Sequence, residues 1–159
     1  IGTPASTIIL SEYQFRIDEP NDNLFTLDWH QDGTYYEQDN DGKSGLVINV
    51  CIQDCTADMG SPELIFGSHK HGRYNSKKYL KPISNTLQHN TETKYVEEEK
   101  IVVLEPKVGD VVLYDMNLIH KSGYNISNKA RFSAIARAFN PLSKNFIPFY
   151  FTEKKLLKT

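Results

Sequence analysis

Cysteine is scarce in this chain: Cys51 and Cys55 are the only two in 159 residues, too few for a disulfide framework. On one extended strand, the four-residue step between them would hold their Cα atoms about 13 Å apart, beyond disulfide reach. A reduced, cytoplasmic setting is the expectation. An excess of one charge is missing as well. Eighteen Lys and Arg stand against twenty Asp and Glu, so there is no electrostatic footprint for nucleic acid. The acidic run Glu97 to Lys100 reads as a solvated face. Long hydrophobic runs are also lacking. "LVINVCI", Leu46 to Ile52, falls far short of a membrane span, and no secretory leader is recognisable. Without a leader, the triplet Asn125-Ile126-Ser127 reads as turn chemistry rather than as a glycosylation acceptor. The first residue is Ile1, which reads as a trimmed chain or a piece of a longer protein.

Helical periodicity is scarce too, and what fills the chain is strand-like alternation. The expected strands are Thr7 to Ile17, Leu24 to His30, Leu46 to Gln53, Glu63 to Phe66, Lys100 to Leu104, Asp110 to Tyr114 and Arg131 to Phe139. Turn signals separate them: "EPNDN", "QDNDGKSG", "DMGSP", "PKVGD" and "YNISNK". Many short strands with this punctuation predict an all-β sandwich, barrel or jelly roll in a single domain. The polar stretch Ser84 to Glu99 reads as an inserted excursion and a candidate mobile lid.

Chemistry concentrates in two places. The first is "LFTLDWHQD", Leu24 to Asp32. On a strand, Thr26, Asp28, His30 and Asp32 would share one face, with Phe25, Leu27 and Trp29 on the other. Alone, the His-x-Asp pair fits turn chemistry as well as metal binding. The second is "GDVVLYDMNLIHKSGYNISNKAR", Gly109 to Arg131. A turn near Asn125-Ile126 would make an antiparallel hairpin with His120 opposite Arg131 and Ser122 on the same face. His30, Asp32 and His120 together supply two imidazoles and a carboxylate, a donor set that holds divalent iron and leaves positions open. Arg131 offers a planar fork that matches a carboxylate. His71 and His89 read as exposed, His69 as an exposed turn residue or a contact near the site, and Tyr35 and Tyr36 as packing.

These pieces, with "MGSPELIFGSHKHG" (Met59 to Gly72), resemble the phytanoyl-CoA dioxygenase family of iron(II)/2-oxoglutarate oxygenases, from about Leu24 to Ala138. The resemblance implies a double-stranded β-helix, a cupin-like jelly-roll barrel. It implies His30, Asp32 and His120 as iron ligands and Arg131 and Ser122 as partners of the 2-oxoglutarate carboxylate. Gln31 and Asn49 fall where family members often line the cosubstrate pocket. Iron(II), 2-oxoglutarate and dioxygen would together hydroxylate an unactivated C–H bond of a small metabolite or acyl substrate, with succinate and carbon dioxide as coproducts.

The sequence departs from the family pattern in two places. The usual helical segment before the His-x-Asp strand is missing, so the expectation is one oxygenase domain, 1–159, shortened at its N-terminus. Phe66 stands where relatives often have proline before the Gly-Ser-His turn. With no helices to cover it, the Phe25, Leu27 and Trp29 face would be capped by a partner subunit or left bare, favouring a homo-oligomer. Rival readings are a non-catalytic jelly-roll module holding zinc or nickel, a halogenase, and a nucleic-acid dealkylase of related fold. Asp32 opposes the halogenase, in which chloride takes the carboxylate's place. The six-residue step from Arg131 to Arg137 favours the dealkylase, and the missing basic stripe opposes it.

Overall fold

Alternation of inward polar and outward apolar residues draws Ile9–Asp18 (β1) and Arg131–Phe139 (β9) into an antiparallel pair that forms one wall of the molecule. The structure, a computed structural model, describes residues 4, 7–36, 44–144 and 146–147. Seven further strands follow β1 in chain order: Gly45–Val50 (β2), Glu63–Ile65 (β3), Ser76–Lys81 (β4), Thr86–Thr91 (β5), Ile101–Val103 (β6), Val111–Asp115 (β7) and His120–Lys121 (β8). One sheet has the order β1-β9-β2-β7, a second β6-β3-β8, and β4 and β5 pair as a hairpin. Among the described residues the only helical turns are short 3-10 segments, so the all-β expectation holds. The two larger sheets face each other as the halves of a jelly roll, with a polar cavity between them. No helix among the described residues is long and apolar enough to cross a membrane.

The register of the larger sheet sorts its side chains. Gln14, Arg16 and Asp18 of β1 lie opposite Ile135, Ser133 and Arg131 of β9 and turn inward with them. On β2, Asn49 and Val47 share that inner face, and Val47 packs with Met116 and Phe139 in a small apolar core. The outer face is apolar and open. Phe15 is 84% exposed, and Leu10, Ile17, Val50, Val111, Leu113 and Phe132 are all exposed beside it. Ala134 and Ala136 of β9, both half-buried, run down its middle, and Ala138 beyond them is buried.

Three expectations need correction. Leu24 to His30 is not a strand; only His30 makes a β-bridge, with His120. Asp22 just before it and Asp28 within it bond locally and compete with a ladder. Asp22 Oδ1 accepts from Leu24 N at 2.8 Å, Asp28 Oδ1 accepts from Trp29 N at 2.8 Å, and Thr26 N turns back to Asn23 O. The expected two-face alternation fails accordingly. Leu27 lines the central cavity, while Trp29 lies half-buried under Lys121 Nζ, 4.9 Å from its ring centroid. The bare apolar face therefore belongs to β1, β2, β7 and β9, with Phe25 alone of the expected trio strongly exposed.

His120 and Arg131 do not form a hairpin either. β8 pairs with β3 in one sheet and β9 with β1 and β2 in the other, so 122–130 is a crossover between sheets. Asn125 fixes it by donating through Nδ2 to Asp18 O and Lys129 O. The crossover runs so close to the turn at Gly60 that a Cβ on Gly123 would lie 2.5 Å from Ser61 O.

The third correction concerns Ser84 to Glu99. Its first part is strand β5 of a regular hairpin, tied down rather than free. Gln88 Nε2 donates to Thr26 O, Thr91 N to Trp29 O and His89 N to Tyr35 Oη. Lys81 Nζ on β4 adds donations to Thr26 O and Oγ1. The hairpin braces the segment that leads into His30. The turn expected at "QDNDGKSG" falls mostly outside the described residues.

Candidate metal centre and cosubstrate cavity

Two chain segments meet at a single antiparallel bridge. His30 N donates to His120 O at 2.9 Å and His120 N to His30 O at 3.0 Å, which sets both side chains on one face. Their ring centroids lie 4.2 Å apart. Each imidazole also leans on a carbonyl two residues before it. His30 Nδ1 lies 2.7 Å from Asp28 O and His120 Nδ1 2.9 Å from Leu118 O. A carbonyl only accepts, so Nδ1 carries the proton in both rings and each Nε2 lone pair is left for a ligand. Both Nε2 atoms face Asp32 Oδ1, at 3.3 Å from His30 and 3.5 Å from His120. The three ligand atoms lie within 4.8 Å of one another and all three residues are buried.

The strand on the "GSH" side holds the second histidine in place. Ser68 Oγ accepts from Ile119 N at 2.9 Å, and Ile65 N donates to Ile119 O at 2.9 Å. Asp32 opens a 3-10 turn, Asp32–Thr34, and its second oxygen is held from behind. Arg137 donates to Oδ2 through Nε at 3.0 Å and Nη2 at 2.8 Å, which leaves Oδ1 for the cavity. Burial pushes the Asp32 pKa up, but His30, His120 and Arg137 outweigh it and hold the carboxyl well below the usual range. Two imidazole Nε2 atoms and a fixed carboxylate oxygen fit a divalent metal of the iron(II) type, with coordination positions open towards the cavity.

Burial first, and His30 second, push the His120 pKa down to about 4. An unfolded histidine titrates near 6.5, so below that pH the unfolded chain takes up the proton first. The metal-free protein is therefore expected to be most stable above about pH 6.5. It should lose about 3 kcal/mol as the pH falls from 6.5 towards 4, because each tenfold difference in proton affinity between the folded and unfolded chain is worth about 1.4 kcal/mol. Thermal unfolding across that range checks this; a flat profile, or one as steep in His120→Gln, would contradict it.

From the metal site the cavity runs along the inner face of the larger sheet. Arg131, Ser122 and Asn49 line it, as does Arg137, six residues beyond Arg131, and so do Ser133 and Arg16, which the sequence did not single out. The anchor expected at Arg131 is 4% exposed, and its Nη2 donates to Asp18 Oδ2. Arg131 Nε, Ser133 Oγ and Asn49 Oδ1 are buried without a hydrogen-bond partner. Orphaned polar atoms on one wall of a cavity mark it as built for a polar ligand. Ser133 was legible from its place two residues after Arg131 on a strand.

Gln31 does not line this cavity. Fully buried, it donates through Nε2 to Gly72 O at 2.9 Å and to Asn117 O, and accepts from Tyr74 N at 2.7 Å. Its position, one residue off the His30/Asp32 parity, turns it into a staple between two loops behind the ligands. Tyr35 braces His30, with an edge contact at 6.0 Å between centroids. His89, expected exposed, is half-buried with its ring packed on Tyr35 at 4.9 Å. His71 is exposed, and neither it nor His69 lines the cavity.

The sequence model of the phytanoyl-CoA dioxygenase (PhyH) family matches residues 9–133. The chain is 29% identical to "Phytanoyl-CoA dioxygenase" of Arabidopsis thaliana and 33% identical to "Phytanoyl-CoA dioxygenase 1" of Oryza sativa subsp. japonica, each over 102 residues. Each alignment covers 64% of this chain and 34% of the relative, so the chain spans about a third of these curated relatives. Among solved structures, EvdO2 from Micromonospora carbonacea var. aurantiaca has a TM-score of 0.70 at 17% identity, over 85% of this chain and 53% of that one. EvdO2 complexed with 2-oxoglutarate gives 0.67 at 18%, with the same coverage. The non-heme alpha ketoglutarate dependent carbocyclase SnoK from nogalamycin biosynthesis gives 0.65 at 16%, over 84% and 50%. At these identities the likeness to the solved structures is one of fold.

Proposed function

This chain belongs to the phytanoyl-CoA dioxygenase family, and from that premise we propose that it is an iron(II)/2-oxoglutarate-dependent oxygenase. The reaction proposed is hydroxylation of an unactivated C–H bond in a small metabolite or acyl substrate. The observation that carries this reading is the convergence of His30 Nε2, His120 Nε2 and Asp32 Oδ1 at the head of a cavity that leads to Arg131. His30, Asp32 and His120 would hold iron(II) there, which with 2-oxoglutarate and dioxygen would supply the oxidising power, succinate and carbon dioxide being the coproducts.

The chain's own residues bind and orient. The Nδ1–H bonds to Asp28 O and Leu118 O fix the ring tautomers, and Arg137 keeps Asp32 ionised with one oxygen forward. Arg131, buried and cationic, meets the distal carboxylate of 2-oxoglutarate, with Ser122 and Asn49 on the same cavity wall. Leu27, Tyr114 and Ile135 give the cavity its apolar lining and limit the water that reaches the reacting centre.

Succinate formation by the protein with iron(II), 2-oxoglutarate and air tests the reading. An oxygenase forms succinate slowly without substrate and faster with one. A protein that binds metal and 2-oxoglutarate yet forms none in either case would be the non-catalytic module instead. We also propose that the apolar face of β1, β2, β7 and β9, with Phe15, Ile17, Val111, Leu113 and Phe132 exposed on it, mediates self-association, since exposed apolar patches mark interaction sites. Sedimentation should show a dimer or larger species that Phe15→Glu dissociates; a monomer at all concentrations would refute this.

A further inference from the structure

At the end of the cavity away from Asp32, hydrogen-bond donors outnumber acceptors. Asp18 is the acid of this end, and it is already shared. Its Oδ1 accepts from Arg16 Nε at 2.8 Å and Nη2 at 2.7 Å, while its Oδ2 accepts from Arg131 Nη2. One carboxylate between two guanidiniums leaves a net charge of plus one, and Asp32, the acid lining the cavity, is matched by Arg137. Register puts these groups side by side: Asp18 lies opposite Arg131 and Arg16 opposite Ser133 on neighbouring strands.

The hydroxyl of Ser122 sharpens the imbalance. Its Oγ accepts from Arg16 Nη2 at 3.0 Å and from Leu27 N at 3.1 Å. Both lone pairs are then filled, so the O–H is free only to donate. Arg131 Nε and Ser133 Oγ are buried without partners, and no hydrogen bond among the described residues engages Arg16 Nη1. Among the described residues, Asn49 Oδ1 is the unpartnered atom on this wall that can only accept, while the Ser133 hydroxyl can donate or accept. A ligand that satisfies such a set is an acceptor carrying negative charge.

We propose that Arg16 is a second anion-binding guanidinium of this cavity, sharing the distal carboxylate of the cosubstrate with Arg131, and that Asp18 is the counter-ion holding the two cations side by side. The inference rests on the oxygenase reading above. Arg16 orients Ser122 as a donor and adds its own Nη1, while Arg131 presents Nε. Without Asp18, two guanidiniums this close would repel each other and lose their common aim. The outcome is a site that selects an oxo acid bearing a second carboxylate over one that lacks it.

Calorimetry on the Mn(II)-loaded protein tests this, with Mn(II), 2-oxoglutarate and pyruvate as probes. Pyruvate keeps the chelating oxo acid and has no distal carboxylate. Arg16→Gln should weaken 2-oxoglutarate by about 10–100-fold, the loss expected of a charge-assisted contact, while Mn(II) and pyruvate affinities stay at their wild-type values. Arg16→Lys should recover part of the loss, since it keeps charge without the fork. Wild-type affinity for 2-oxoglutarate in Arg16→Gln would overturn the assignment. Equal weakening of Mn(II), pyruvate and 2-oxoglutarate would overturn it too, by showing a general structural role. A wild-type protein that binds Mn(II) but not 2-oxoglutarate would sink the oxygenase reading and this inference with it.

Discussion

Replacing His30 with alanine should abolish iron-dependent succinate formation while leaving the barrel folded. The bridge between residues 30 and 120 is made by backbone groups, which alanine keeps. What disappears is one of two Nε2 donors and the ring that packs against His120 and Tyr35. Loss of a partner behind a metal ligand commonly costs about 10–100-fold in affinity, and loss of the ligand itself should exceed that. Metal titration of wild type and His30→Ala measures it, with circular dichroism as the control for folding. Turnover at the native rate in His30→Ala would mean that His30 is not a required ligand.

Arg131→Ala should weaken 2-oxoglutarate by about 2–5 kcal/mol, because it leaves a buried carboxylate without its partner. Metal affinity should change little, since Arg131 does not touch the three ligands. The Asp18 contact adds a second expectation. Truncation removes one of the two cations from a carboxylate that is 6% exposed, so the variant should also melt at a lower temperature. Arg16 keeps its hold on Asp18 and limits that loss. Lysine at 131 should restore stability better than affinity, for it returns the charge and not the fork. Unchanged 2-oxoglutarate affinity in Arg131→Ala would move the anchor elsewhere on the wall.

Much of the fold is legible in the sequence because strand parity is a strong constraint where one face is polar and buried. The strand expected at Arg131 to Phe139 has the bounds of β9, and β1, β2, β3, β6 and β7 lie within a residue or a few of their expected limits. Sequence does not say which strands pair. The crossover after Ser122 depends on Asn125 reaching Asp18 O, a contact 107 residues away in sequence, and on two glycines passing each other. The hairpin of β4 and β5 escapes the pattern for a different reason. Its lysines and threonines lack an apolar face, and it is held by hydrogen bonds to a neighbouring segment rather than by an apolar core.

The ligand set is legible only as a set. His30 and Asp32 fit a turn equally well until His120 and Arg131 supply the rest of the pattern. Leu24 to His30 shows that the right ligands can follow from the wrong geometry: local Asp and Thr bonds replace the expected strand without moving His30 and Asp32 apart. Gln31 departs from its expected place because adjacency to two ligands is not the same as sharing their side of the chain. Arg16 and Asp18 carry no signal by themselves, since an Arg-x-Asp pair on an exposed-looking strand is ordinary; pairing with β9 turns them inward.

The proposed chemistry depends on one position for a metal. Crystals grown with Mn(II) in place of iron, measured for anomalous scattering, test it most directly. The expected result is a single strong peak bonded to His30 Nε2, Asp32 Oδ1 and His120 Nε2, with 2-oxoglutarate, when added, reaching from that peak to Arg131. A peak elsewhere on the chain, or none at saturating Mn(II), would contradict it.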